Sequence, residues 1–138
     1  VPPSPPPADS GRPRASASAS VSGSGSGSDL PDPGAFVVAL VTVPDVATAD
    51  RIADALLAER LAACVNRVGP VRSRFRWKGA LDAADELLLL IKTRASSLPR
   101  IEERIRALHP YEVFELLALP VAAGSAAYLA WLAAETGA

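Results

Sequence analysis

A chain of 138 residues, 49% of them hydrophobic, with one cysteine, one histidine and a formal net charge of −1, has room for one small domain with a true core. Its charge balance gives no electrostatic footprint for nucleic acid or an anionic membrane, and no apolar run reaches the roughly 18 residues of a membrane span. A single thiol excludes an intrachain disulfide, which fits a reducing, cytoplasmic setting.

Residues 1–34 contain 22 Pro, Ser or Gly, too little apolar surface to offset the entropy of ordering, and read as a disordered leader. Neither the basic start nor the unbroken apolar stretch of a secretory signal is there, and Asp9, Asp29 and Asp32 with the prolines speak against an amphipathic transit helix. Residues 35–138 form the domain, with 12 Lys or Arg against 12 Asp or Glu.

The domain opens with AFVVALVTVPD, a β-branched apolar run closed by Pro44 and Asp45, which predicts a strand buried on both faces. From residue 46 the period becomes helical, with Ile52, Leu56, Leu57 and Leu61 in one stripe and Asp45 placed as N-cap. Gly69 and Pro70 then interrupt an extended segment in which Val71, Ser73, Phe75 and Trp77 alternate with Arg72, Arg74, Arg76 and Lys78. Gly79 begins a turn, and LLLLIKT forms a third strand that pairs back as an antiparallel hairpin.

Leu98, Ile101, Ile105 and Leu108 mark a second amphipathic helix, capped by Ser96 or Ser97, with Pro99 in its first turn and Glu102 placed to pair with Arg106. Pro110 drives the residue before it out of the α region, so His109 is the last helical residue or its C-cap. VFELLALPV, residues 113–121, predicts a fourth strand, and SAAYLAWLAAE a closing helix with Ser125 as N-cap.

This order is the ferredoxin-like βαββαβ arrangement, an α+β fold, with a C-terminal helix added. Two helices cover one face of the sheet, yet strands 36–43 and 87–91 are apolar on both. A second copy of the chain is the economical cover, and a symmetric oligomer is expected.

Chemistry-bearing residues are few. His109 is either the end of a helix or a metal ligand, with Glu112 three residues on and Glu115 beyond; a full zinc or copper shell would need ligands from a neighbouring subunit. Copper(I) fits poorly, because soft sulfur ligands are nearly absent. Cys64 has no activating partner in sequence and reads as a packed thiol. The Arg72, Arg74, Arg76, Lys78 ladder carries its aromatics on the opposite face, the wrong arrangement for stacking RNA bases, and reads as a solvated or salt-bridged face. Without a completed nucleophile set, phosphate loop or CxxC pair, no enzymatic activity and no organic cofactor are expected.

VTVPD, ERLAACVN, FRWKG, LLLLIKT, LHPYEV and YLAWL, in this order and spacing, resemble the CutA divalent-cation tolerance family over nearly all of residues 36–135. The resemblance implies a cytoplasmic homotrimer of ferredoxin-like subunits, linked to tolerance of copper and other divalent cations. It also implies that Trp77, Lys92, Tyr111 and Glu115 line or support clefts between subunits. Some members carry, where Val41 stands, a cysteine proposed as a copper ligand together with the histidine matching His109. Only His109 carries over, so the expected cofactor is weakly bound Cu(II) or another divalent cation, at His109 and Glu112. Phe114 replaces a usual proline and Ser125 a frequent asparagine. The alternatives are a sensor of the PII type, binding small anionic molecules in intersubunit clefts, and a purely structural or interaction trimer.

Overall fold

The alternation in FVVALVTV sorts the first strand into two faces, and the rest of the fold follows from which face is covered. The computed structural model describes residues 35–137; the leader assigned to residues 1–34 lies outside them. Strand β1 (Phe36–Val43) is followed by α1 (Val46–Ala58), β2 (Cys64–Trp77), β3 (Ala80–Arg94), α2 (Leu98–Leu108), β4 (Leu117–Pro120) and α3 (Ala126–Glu135). The strands form one antiparallel sheet in the order β2-β3-β1-β4, the ferredoxin-like arrangement expected from the sequence.

Ala39, Val41 and Val43 of β1 and Leu89 and Ile91 of β3 point to the side where α1 and α2 lie, and pack against Ile52, Leu56, Ile101 and Ile105. All of these side chains are essentially removed from water. Burial of each Val, Leu or Ile among them is worth about 1.5–3 kcal/mol relative to exposure, which makes this layer the main stabilising element. Leu57, expected in the α1 stripe, is exposed instead. Leu61 is buried but lies beyond the helix.

The end of α1 explains that displacement. Arg60 adopts a left-handed φ of 56°, its N–H donates to the Leu57 carbonyl at 3.1 Å, and the Leu61 N–H donates to the Leu56 carbonyl at 2.9 Å. This is the 6→1 and 5→2 pairing of a Schellman motif, which turns the chain and drops Leu61 into the core. At the other end the Asp45 carboxylate accepts from the Thr48 N–H at 2.8 Å, the cap expected of it. That bond holds the Asp45 pKa below its ordinary value.

The other side of the sheet is covered only at its Phe36 end, where Leu129 and Leu132 of α3 pack on Phe36 and the Arg94 guanidinium donates to the Ala133 carbonyl. Val38 and Leu40 of β1, Leu88 and Leu90 of β3, and Leu117 and Leu119 of β4 share this side by register. Leu117 and Leu119 are 58% and 53% exposed. The chain alone leaves this apolar surface in water.

Three boundaries differ from expectation. A short 3₁₀ turn, residues 95–97, leads into α2, and Ser97 stands at its N-cap position without a side-chain cap bond. The hairpin is longer than the sequence indicates: β2 and β3 pair out to Trp77 and Ala80. A two-residue turn joins them, with Lys78 and Gly79 both at positive φ, as the type I′ geometry that matches strand twist requires. The fourth strand covers only residues 117–120 rather than 113–121. Extending its register would set Glu115 opposite Thr42, but the Thr42 carbonyl is bonded to the His109 ring, and the ladder stops at Leu40 and Leu117.

Candidate functional site

Where the hairpin leaves the sheet, its apolar face meets the segment that follows α2. Phe75, Trp77 and Ser73 project from β2, Glu86 and Ala84 from β3, and Tyr111, Glu112 and Glu115 from the segment after Pro110, around a groove of about 800 Å³. Alternation along β3 aims Glu86 to the same side as Leu88 and Leu90, so the groove is continuous with the uncovered sheet face. Phe75 and Trp77 share that side because a bulge between Val68 and Val71 shifts β2 at Gly69.

The groove is acidic and aromatic. Glu86 is buried, 6% exposed, and its carboxylate accepts from the Tyr111 hydroxyl at 3.4 Å. Burial first, and then the negative charge of Glu86, raises the Tyr111 pKa above the ordinary phenol value. Glu115 retains much solvent exposure, yet partial desolvation and the same Glu86 charge raise its pKa above the ordinary carboxylate value. Both effects disfavour the anionic form, so the groove resists further negative charge.

His109 is the C-cap of α2, in extended conformation at φ −85° and ψ 134°, as the following proline requires. It is 7% exposed. Its Nε2 lies 2.8 Å from the Thr42 carbonyl oxygen, and its Nδ1 accepts from the Tyr111 N–H at 3.1 Å. The ring stacks on Phe114 at a centroid distance of 5.5 Å and leans on Tyr111 at 4.7 Å. The Arg106 guanidinium lies 5.4 Å over the other aromatic, Phe114.

Of the residues singled out in the sequence, Trp77, Tyr111, Glu112 and Glu115 come together in the groove. His109 stands behind its wall and does not line it. Lys92 lies six residues along β3 from Glu86, about 20 Å at ordinary strand rise, where it is opposite Val38 and Cys64 and its ammonium donates to Asn66. Val41, the position of the family's cysteine, is fully buried in the helix-covered layer. Glu86 escaped sequence reasoning, although its parity with Leu88 and Leu90 marks it as a carboxylate on an apolar face. Of the arginine ladder, Arg72 pairs with Asp85 across the hairpin at 3.1 Å.

Among the described residues, no group of three or more His, Cys, Asp or Glu side chains is placed to hold a metal ion. One subunit therefore presents a carboxylate pair rather than a complete metal shell, and no described helix is long and apolar enough to cross a membrane.

Comparison with known proteins fits this construction. The model of the CutA1 divalent ion tolerance protein family matches residues 37–135. The divalent-cation tolerance protein CutA of Thermus thermophilus is 51% identical over 100 residues, covering 72% of this chain and 97% of that protein. Human protein CutA is 43% identical over 100 residues, and there the match spans only 56% of the relative's length. Among solved structures, that of the Thermus thermophilus protein superposes with a TM-score of 0.73 at 50% identity, covering 74% of this chain and 99% of that one. CutA1 from Oryza sativa gives 0.73 at 40% identity, with coverage of 80% and 98%. A family match over residues 37–135, together with a relative 51% identical over 97% of its own length, leaves one conclusion: the chain belongs to the CutA1 divalent ion tolerance family.

Proposed function

We propose that this chain serves divalent-cation tolerance by holding a divalent cation, copper(II) among them, weakly in the groove, as a homotrimer and without catalysis. The observation that carries this reading is the carboxylate pair: Glu86 and Glu115 line one groove, where partial desolvation and then the Glu86 charge raise the pKa of Glu115, and a bound cation replaces that repulsion with attraction to both groups. When bound, a divalent cation supplies two positive charges that oxygen donors neutralise. Glu86 and Glu115 are the donors best supported, with Glu112 beside them. Two carboxylates from one subunit suit weak binding, completed by water or by a neighbouring subunit.

The trimer is supported by the uncovered leucines of β3 and β4, which need a cover of their own kind. A binding role rather than a catalytic one is supported by the single imidazole, whose two ring nitrogens are both engaged with backbone. The acidic lining opposes an anionic ligand of the PII type.

Calorimetric titration of the full chain with Cu(II) and Zn(II), compared with Glu86→Gln and Glu115→Gln, tests the reading. Each substitution is expected to weaken binding by about tenfold, near 1.4 kcal/mol. Unchanged affinity in the double substitution removes the cation from this groove. If organic anions raise the melting temperature and the metals do not, the anion-sensing alternative takes its place.

A further inference from the structure

We propose that His109 is a positioning residue, a neutral imidazole carrying its proton on Nε2 that ties the wall of the groove to the end of β1, and that the cation is held through oxygen atoms alone. The second half rests on the cation reading above; the first does not.

Two independent bonds give the same tautomer. The Tyr111 N–H can only donate, so Nδ1 must offer a lone pair to it at 3.1 Å. The Thr42 carbonyl can only accept, so Nε2 must bring a proton to it at 2.8 Å. One nitrogen has its lone pair occupied and the other has a proton in its place. A metal ligand needs a free imidazole lone pair, and neither nitrogen has one to give. Stacking on Phe114 and burial hold the ring in this setting.

The same two bonds give the ring a purpose. Thr42 lies in β1 just beyond its last pair with β4, Leu40 with Leu117, and lines the groove, and Tyr111 opens the segment that brings Glu112 and Glu115 to the groove. The imidazole is thus a strut between a rigid strand and a loop. It fixes the Tyr111 backbone, whose side-chain hydroxyl then meets Glu86. The charged and titratable groups around this strut are Asp45 at the start of α1, Arg106 on α2, Glu86 on β3, and Tyr111, Glu112 and Glu115 on the segment itself.

The chain holds one histidine, so ¹⁵N labelling of the intact protein reads His109 without ambiguity. The expected spectrum shows a pyrrole-type Nε2 and a pyridine-type Nδ1, both unmoved by Zn(II). The expected Cu(II) electron paramagnetic resonance spectrum shows no nitrogen coupling that disappears in His109→Gln. A Zn(II)-dependent shift of either ring nitrogen, or a coupling lost with the imidazole, overturns the proposal.

Side-chain replacement gives the second arm. His109→Gln retains an N–H near the Nε2 position, His109→Asn retains an acceptor near Nδ1, and His109→Ala retains neither. A positioning role predicts about tenfold weaker cation binding in His109→Ala, faster exchange of the Tyr111 amide, and partial recovery of both in the Gln and Asn variants. Equal loss in all three, with Tyr111 protection intact, makes the imidazole a ligand and overturns the proposal. If no variant and no parent binds a cation, the cation reading fails by itself, and the tautomer with the Tyr111 exchange still decides the strut.

Discussion

The two faces of this sheet are built from the same kinds of residue and have opposite fates. On one, Ala39, Val41, Leu89 and Ile91 are sealed under α1 and α2; on the other, Leu88, Leu90, Leu117 and Leu119 are left partly or largely in water. Composition does not separate them, since alternating residues of one strand serve both. What separates them is whether the chain carries its own cover, and the groove lies on the side where it does not. A subunit that solves its stability problem on one face leaves its binding problem to the other.

The comparison breaks most sharply at the open face. Leu119→Asp puts a charge where a second copy is expected to sit, and sedimentation at micromolar concentration should show single subunits that keep their far-ultraviolet circular dichroism. An unchanged mass would mean that these leucines do not hold an assembly. On the covered face, Ile91→Ala should cost about 2–5 kcal/mol in urea unfolding, because the methyl groups it removes leave a cavity between two helices and the sheet. Leu90→Ala, one residue along and on the other side, should cost less in dilute protein and depend on concentration. Equal, concentration-independent losses would erase the distinction between the faces.

The bulge sets the border between sheet and hairpin. A Cβ at Gly69 would lie 2.7 Å from the Leu87 Cδ2 atom and 3.3 Å from the Glu86 carbonyl oxygen. Gly69→Ala should therefore destabilise by about 1–3 kcal/mol through overpacking, and shift Glu86 in the groove. Chemical denaturation with a parallel cation titration reads both effects.

The smallest effect belongs to Glu115. Its folded pKa is raised above the ordinary value of 4.5, so the native state binds the extra proton. Stability falls as pH rises from that ordinary value through the raised one. Glu115→Gln should be the more stable protein at neutral pH and indistinguishable from the parent once both carboxyls are protonated. Asp45 has the opposite sign: its depressed pKa gives a contribution present at neutral pH and lost in acid. Melting temperatures of Glu115→Gln and Asp45→Ala against pH should diverge from the parent in opposite directions above the acid limb.

Much of this was legible in the residues. The apolar runs gave β1 and β3, helical spacing gave α1 and α2, and Pro110 placed the end of α2 at His109 because its steric demand is local. The limit of the fourth strand is not local, so the apolar run overstates its length: the Thr42 carbonyl that blocks the ladder is 67 residues from the ring that occupies it. The same distance hid the commitment of Nε2, and although the Nδ1 partner is only two residues on, that left His109 open to a metal reading. Trp77, Tyr111 and Glu115 follow from the resemblance, and Glu112 from its place three residues after His109. Glu86 needed the register of β3 against β2, which period-two counting supplies only when the face is already known to matter. Lys92 obeys the same parity yet lies far from the groove, since parity assigns a side and not a position along it.

One consequence follows from the length of the hairpin. β1 pairs with β3 only as far as Leu87, so residues 80–86 and their partners on β2 run on as a two-stranded ribbon with no third strand of their own chain beside them. Isolated ribbons of this kind are marginal in water. This one supplies Phe75, Trp77 and Glu86 to the groove, so in the proposed trimer dilution that strips away neighbouring copies should fray it first. Ligand capture would then rise and fall with protein concentration by mass action, even where each subunit's helix-covered layer stays intact.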